Sequence, residues 1–111
     1  MMYRIETTNQ AATDRDRCFD YIAKRSSDGA LRWLEAYESA VESLQTHPFR
    51  GFAPENVDHE EEIRQCLFKT RHGLTYRFLY TIRDRTIYIL HVRGAGQDLL
   101  APDDLHGPED R

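Results

Sequence analysis

The sequence predicts a single α+β domain, in which two antiparallel helices pack on one face of a sheet built mainly from a three-stranded antiparallel meander. A chain of 111 residues, 40% of them hydrophobic, has the size and composition of one compact domain. One long segment repeats apolar residues at helical spacing, and three later segments alternate as strands do. The predicted element order is β-α-α-β-β-β.

A short strand and a helix open the chain. Apolar and polar residues alternate over about 2–6, a stretch too short for a helix, which predicts an edge or pairing strand. A weaker helical pattern follows over about 9–25, with Thr13 and Asp16 as a capping box just inside it. The polar residues 26–29 interrupt this pattern and separate it from the next one.

The second helix has the clearest pattern, because apolar residues recur at steps of three and four. Asp28 precedes them and is a candidate N-cap. Pro48 cannot continue a helix and disfavours helical geometry in the residue before it, so we expect the helix to end near Thr46. We expect the two aromatic residues of the stripe to be core residues rather than a platform for bases. The stripe consists of Ala30, Trp33, Leu34, Tyr37, Ala40, Val41 and Leu44.

The second half of the chain predicts a loop and then the meander. Residues 48–62 contain glycine, proline and an acidic run, which favours an irregular and flexible surface connection. Strand patterns then cover 63–69, 74–82 and 86–93, separated by short turns.

The last hairpin predicts two largely apolar faces. If Ile82 and Ile87 form a pair across the turn, strict alternation assigns every other residue to the same face. The helices should then cover one face, while a partner or ligand has partial access to the other. One face would carry Tyr76, Phe78, Tyr80, Ile82, Ile87, Ile89, His91 and Arg93, and the other Arg77, Leu79, Thr81, Tyr88, Leu90 and Val92.

Composition argues against several classes of protein. The uncharged apolar stretches are far shorter than the roughly 20 residues of a membrane span. The N-terminal residues show no secretory pattern, so we expect a cytoplasmic protein. Cys18 and Cys66 form no CxxC and are expected to be buried thiols. The histidines show no ligand spacing and the glycines no phosphate loop, so no metal or organic cofactor is expected. We expect one domain over 1–100 and a flexible acidic tail over 101–111.

Charge is distributed unevenly along the chain, although the net charge is −4. Residues 1–62 carry seven basic and thirteen acidic side chains, whereas residues 63–93 carry seven basic and one acidic. Such a segment can create a local positive surface for a phosphate backbone on an acidic protein. The alternative is a solvated, arginine-rich pair of strands.

Four sequence motifs, together with the predicted element order, resemble those of the RelE/ParE toxin superfamily of plasmid-stabilisation proteins. Their order and spacing together are more specific than any one of them. They are Ala30-x-x-Trp33, Leu44-x-x-x-Pro48-x-x-Gly51, Tyr76-Arg77-Phe78-Leu79-Tyr80 and Ile87-Tyr88-Ile89-Leu90-His91-Val92-Arg93-Gly94.

The resemblance implies the toxin of a type II toxin–antitoxin pair, neutralised by a cognate antitoxin. One branch of the superfamily cleaves mRNA on the ribosome without a metal, and another inhibits DNA gyrase. In the nuclease branch an arginine of the Tyr-Arg strand serves the phosphate, and Arg77 matches that position. Lys69 and Arg71 lie where that branch keeps basic residues. Alternatively, Arg77 pairs with a carboxylate of this chain or of the antitoxin.

Metal-free RNA cleavage also needs an acid or base. The nuclease branch places a further arginine and a tyrosine or histidine after the last strand, where this chain reads Gly94-Ala95-Gly96-Gln97-Asp98-Leu99-Leu100. His91 is a candidate substitute because the intrinsic pKa of histidine lies near neutrality, although a strand histidine is more often packed or hydrogen-bonded. Arg64, Tyr80 and Arg93 are the candidates for binding the target or the antitoxin.

Three functions therefore remain open at this point. A gyrase-directed toxin agrees with the residues after the last strand and with the Val92-Arg93-Gly94 ending. A ribosome-dependent endoribonuclease agrees with the basic segment. An inactive, antitoxin-binding family member agrees with the acidic balance of the whole chain. In each case we expect a segment of the antitoxin to lie over exposed apolar positions of the sheet.

Overall fold

A computed structural model describes residues 2–51, 61–71 and 73–94 and has the predicted element order. The α+β class, the helical hairpin and the meander are confirmed. The predicted tail over 101–111 and most of the predicted loop over 48–62 lie outside the described residues. The helices and strands are β1 (Arg4–Thr7), α1 (Asn9–Ala23), α2 (Ser27–Ser43), β2 (Arg64–Phe68), β3 (Tyr76–Arg83) and β4 (Thr86–Arg93).

The four strands form one sheet in the order β1-β4-β3-β2. The last three strands are antiparallel neighbours, as predicted for a meander, whereas β1 pairs in parallel with β4. β1 is therefore an edge strand. A parallel pair needs a long connection between its strands, and both helices lie within that connection.

Thr8 joins the end of β1 to the start of α1. Its side chain accepts a hydrogen bond from the backbone amide of Ala11 at 3.2 Å and donates one to the carbonyl oxygen of Ile89 at 2.8 Å. Thr8 is therefore the N-cap of α1. The predicted capping box at Thr13 and Asp16 was wrong, because the helix begins four residues before Thr13.

Asp14 completes the edge of β4 where β1 has ended. The register of β1 on β4 stops at Ile89, so the edge amides of β4 beyond it have no strand beside them. Oδ2 of Asp14 accepts a hydrogen bond from the amide of Val92 at 3.1 Å, and both groups are buried. A buried amide without an acceptor would be costly, so this carboxylate replaces the missing strand.

The second helix carries the core stripe that the sequence predicted. Its N-cap is Ser26, whose Oγ accepts from the amide of Gly29 at 2.9 Å, so the predicted cap Asp28 instead lies in the first turn. Trp33 and Tyr37 are buried and their rings stack with centroids 5.9 Å apart. The core around them contains Phe68, Tyr76, Phe78 and Tyr80, with neighbouring ring centroids 5.4 to 6.0 Å apart.

The β3–β4 hairpin contains a register shift that strict alternation did not predict. The pair Ile82–Ile87 is confirmed, but the register changes between Leu79 and Tyr80. One extra residue on β4 moves the rest of that strand by one position. Val92 therefore lies opposite Phe78 in the core beneath the helices, so its predicted assignment to the other face was wrong.

The second face of the sheet is less open than predicted. Leu79 and Leu90 are buried there with Ile63 in a separate small cluster. Leu67, at the other end of the face, is 48% exposed. Access for a partner is therefore concentrated at the Leu67 end of this face.

Both cysteines of the chain lie among the described residues. Cys66 is buried as expected, but Cys18 is only half-buried, and both thiols are free. Burial raises the pKa of each thiol.

Within the described ranges, no helix has the length and apolarity needed to cross a membrane. Within those ranges, too, no three His, Cys, Asp or Glu side chains gather as a metal site would require.

Asp14 should make the stability of the fold depend on pH. Burial by itself would raise the pKa of its carboxyl, but contacts with His91, the Val92 amide and Gln10 outweigh burial and lower that pKa from 3.8. A carboxyl with a lowered pKa stabilises the folded state above its ordinary value and loses this effect as the pH falls through its folded-state value. Asp14→Asn should cost about 1–2 kcal/mol at pH 7 and flatten the loss of stability in acid.

Urea unfolding between pH 7 and pH 3 tests this prediction, with Asp16→Asn as the control. Asp16 is exposed on the same helix and pairs only with its neighbour Arg15 among the described residues, so its replacement should change stability by less than about 0.5 kcal/mol. Parallel loss of stability in Asp14→Asn and the parent protein across this range would contradict the prediction.

Candidate functional site

Two predicted site residues lie side by side on the sheet. Arg77 on β3 pairs directly with Arg93 on β4, and Leu67 on β2 lies beside Arg77 in the same row. Arg77 alternates with the core residue Phe78, so its side chain leaves the sheet on the face away from the helices. Both arginines are half-buried. We call this pair the arginine row.

The other two basic candidates, Lys69 and Arg71, lie in different places. β2 ends at Phe68 opposite Tyr76, so the exposed Lys69 leaves the sheet at the same end as the arginine row. Arg71 is exposed in the following turn and lines a cleft beside the helical hairpin, together with Arg25 and Arg32. The structure thus associates Lys69 with the arginine row and Arg71 with a second group of arginines.

His91 lies inside the protein, where the alternative interpretation of a packed histidine had placed it. It is 4% exposed, and its Nδ1 lies 3.4 Å from Oδ2 of Asp14. The same carboxylate binds the Val92 amide, so His91 belongs to the junction between α1 and β4. A group held in this way is poorly placed to exchange a proton with a ligand on the surface.

Tyr80 and Arg64 fasten the segment that follows α2. The Tyr80 hydroxyl donates to the carbonyl oxygen of Pro48 at 2.9 Å and accepts from the amide of Gly51 at 3.2 Å. Arg64 donates to the carbonyl oxygens of Phe49 at 3.1 Å and Gly51 at 2.6 Å. We call these contacts the loop clasp.

Gly51 is required in the loop clasp by space rather than by backbone conformation. A Cβ at this position would overlap the carbonyl oxygen of Gln65 and lie 2.7 Å from the Tyr80 hydroxyl. Tyr80 has no exposed surface. Burial raises the pKa of its hydroxyl, even though the Gly51 amide and Arg64 favour the ionised form. The hydroxyl therefore stays protonated near neutral pH and acts as the donor to Pro48.

The site residues predicted from the sequence fall into two groups in the structure. Arg77, Arg93 and Lys69 form a basic surface that suits an anionic partner, because guanidinium groups bind phosphate and carboxylate oxygens in fixed geometry. Tyr80 and Arg64, by contrast, are used inside the chain. Both residues therefore position the loop, and their contact with a target or antitoxin stays a prediction.

Sequence reasoning overlooked Asp14, Arg25 and Arg32. Asp14 is separated from Ala11 by three positions and from Cys18 by four, and this spacing assigns it to the inward side of α1. That signal was available from the sequence. The gathering of Arg25 and Arg32 beside Arg71 depends on the packing of the hairpin against the β2–β3 connection, and no local pattern predicts it.

Tyr80→Phe should release the loop clasp without disturbing the ring packing. The variant removes one donor and one acceptor from a buried site, which should cost about 1–3 kcal/mol of unfolding free energy. Tyr21→Phe, which changes an exposed tyrosine, should leave stability within about 0.5 kcal/mol. Urea unfolding measures both variants. Equal stability of the two variants would show that the hydrogen bonds of the Tyr80 hydroxyl contribute nothing to stability.

The family follows from a comparison with known proteins. A model of the ParE toxin of the type II toxin–antitoxin system parDE matches residues 5–99. No curated protein matches the chain. The matched range begins in β1 and includes both helices, the arginine row and the loop clasp. The chain therefore belongs to the ParE toxin family of type II toxin–antitoxin systems.

Proposed function

We propose that this toxin arrests growth by inhibiting DNA gyrase and that its cognate antitoxin neutralises it. The observation that supports this proposal most directly is the position of His91. This residue is the candidate substitute acid or base for RNA cleavage, and it is buried against Asp14. The Tyr80 hydroxyl is likewise engaged, through Pro48 and Gly51. A toxin that inhibits an enzyme by binding needs a complementary surface but no proton transfer.

The basic residues support such a binding role. The arginine row and Lys69 give an acidic chain a local positive surface at one end of the sheet. Leu67 adds exposed apolar area beside it. Arginine next to apolar surface is typical of protein interfaces, in which the charge orients the partner and the apolar area contributes binding free energy.

A metal-independent, ribosome-dependent endoribonuclease is the second candidate, and the arginine row is the observation that favours it. Two arginines paired across neighbouring strands can bind two oxygens of one phosphate. The charged phosphorane of RNA cleavage would be stabilised in this way. Under this candidate Arg77 and Arg93 bind the phosphate, and Lys69 and Arg71 orient the RNA backbone.

Controlled expression of the chain alone in a bacterial host separates these functions. We expect growth arrest, altered plasmid topology and intact mRNA, because an inhibited gyrase cannot maintain negative supercoiling. Co-expression of the cognate antitoxin should restore growth. Cleaved mRNA with normal topology would contradict the gyrase proposal. Normal growth with detectable folded protein would instead identify an inactive, antitoxin-binding family member.

Arg77→Ala tests the second candidate in the same host. If the arginine row stabilises the phosphorane, the variant should cleave mRNA about 100-fold more slowly than the parent protein. Arg17→Ala is the control, because Arg17 is exposed on α1 and lies outside the row. Any mRNA cleavage that Arg77→Ala reduces no more than Arg17→Ala would exclude the proposed role of Arg77.

A further inference from the structure

A cleft lies between the tip of the helical hairpin and the connection from β2 to β3. Its volume is about 580 Å³, and it is formed by the end of α1, the start of α2 and the residues between β2 and β3. We call it the tip cleft. Its basic side chains are Arg25, Arg32 and Arg71, and Trp33, the single tryptophan of the chain, lines it as well.

The tip cleft is positively charged in a chain whose net charge is −4. Arg25 follows the end of α1, Arg32 lies on α2 and Arg71 lies in the turn after β2, so three segments contribute one arginine each. All three residues are exposed. Among the residues that the structure describes, no acidic side chain lines the cleft and none forms an ion pair with these arginines. Like charges gathered without a counter-charge favour an anionic ligand.

Hydrogen-bond donors other than arginine also line the tip cleft. The Oγ of Ser26 accepts from the Gly29 amide, which leaves the hydroxyl proton for another acceptor. Thr70 adds a second hydroxyl. Trp33 is 3% exposed, and its indole nitrogen has no acceptor among the described residues. A buried N–H group without an acceptor is costly, so an oxygen atom of a ligand in the cleft would stabilise it.

The aromatic rings of the cleft favour contact with a nucleic-acid backbone over contact with bases. Bases bind by stacking on free aromatic faces. Trp33 instead packs against Tyr37 and Tyr76, with ring centroids 5.9 and 5.4 Å away. The Tyr21 ring is covered by the Arg25 guanidinium at 4.8 Å. A guanidinium that stacks by its face keeps its in-plane N–H donors for phosphate oxygens.

Basic residues continue beyond the tip cleft, which favours a long polyanion over a single phosphate. Lys69 is exposed two residues before Arg71. Arg77 and Arg93 form the arginine row at the same end of the sheet. A nucleic-acid backbone carries one negative charge per nucleotide, so it can contact both basic groups at once. A small anion reaches only one of them.

We propose that the tip cleft binds phosphate groups of a DNA backbone and contacts the DNA held by gyrase when the toxin inhibits that enzyme. Arg25, Arg32 and Arg71 pair with phosphate oxygens, while the hydroxyls of Ser26 and Thr70 donate to the same backbone. The choice of DNA over RNA rests on the proposed gyrase target. The site itself rests on the charges and donors of the cleft.

Binding of a short labelled DNA duplex to the purified chain, without gyrase, tests this proposal. In the cleft variant, Arg25→Gln combined with Arg32→Gln, the Kd should weaken about tenfold at low salt. The slope of log K against log salt concentration should become shallower by about 1.8, because two phosphate contacts are lost. Arg25→Lys combined with Arg32→Lys retains the charge and should change that slope by less than about 0.5.

The control variant is Arg4→Gln combined with Arg85→Gln. Both residues are exposed at the other end of the sheet, where β1 begins and β3 turns into β4. The control variant has the same net charge as the cleft variant, and we expect it to keep the slope of the parent protein. All the replaced arginines are exposed, so urea unfolding should show that both variants are as stable as the parent protein.

Trp33 reports whether the duplex occupies the tip cleft. Because the chain has no other tryptophan, its tryptophan fluorescence comes from this cleft. At one duplex concentration, the emission should change in the parent protein and the control variant much more than in the cleft variant. A duplex that binds without changing the emission would lie elsewhere and would overturn the proposal.

Competition identifies the class of ligand. Unlabelled duplexes of unrelated sequence should displace the labelled one equally well. Equally effective displacement by polyglutamate would instead identify a site for an acidic protein segment, and displacement by inorganic phosphate at constant ionic strength would identify a site for a single phosphate. Tighter binding of RNA than of DNA would identify an RNA site. Each of these three results would overturn the proposal, as would equal changes of slope in the cleft and control variants.

Supercoiling by purified gyrase separates this proposal from the proposed function. We expect inhibition by the cleft variant to need about tenfold more protein than inhibition by the parent chain. A cleft variant that loses duplex binding but inhibits gyrase as well as the parent would overturn the proposed contact with gyrase-bound DNA and leave the gyrase proposal standing. A parent chain that binds duplex through the cleft but leaves supercoiling unchanged would contradict the gyrase proposal instead.

Discussion

The edge of β4 beyond Ile89, which β1 does not reach, determines how α1 packs on the sheet. β1 is too short to cover it, so α1 must supply a polar group at that position. Thr8 begins the helix while bonded to Ile89, and Asp14 receives the Val92 amide two turns later. Together they hold α1 along β4, and α2 can then lay its aromatic stripe over the sheet.

The same junction determines which residues remain available for function. His91 is buried beside Asp14, and the register shift of β4 places Arg93 opposite Arg77. The loop clasp withdraws Tyr80 and Arg64 in a similar way. Among the described residues, basic surface remains at the arginine row and in the cleft beside the helical hairpin, whereas His91 is buried. Among the described residues, this division supports the proposed binding role.

Local periodicity predicted most of the fold, because the apolar stripe of α2 and the alternating apolar residues of the strands are the residues that become buried. It failed where a contact between distant segments decides the outcome. The true cap of α1 depends on Ile89, and the face of Val92 depends on an extra residue in β4. For the site, Arg77 and its neighbours could be found by resemblance. The loop contacts of Tyr80 and the gathering of Arg25, Arg32 and Arg71 in the cleft beside the helical hairpin could be seen only in the structure.

We propose that this toxin inhibits gyrase by binding it and does not cut RNA. The supercoiling of relaxed plasmid by purified gyrase, measured in the presence of the purified chain, tests this proposal. We expect that micromolar chain suppresses supercoiling and that added antitoxin restores it. Unchanged supercoiling by a chain that is folded and still binds its antitoxin would contradict the claim.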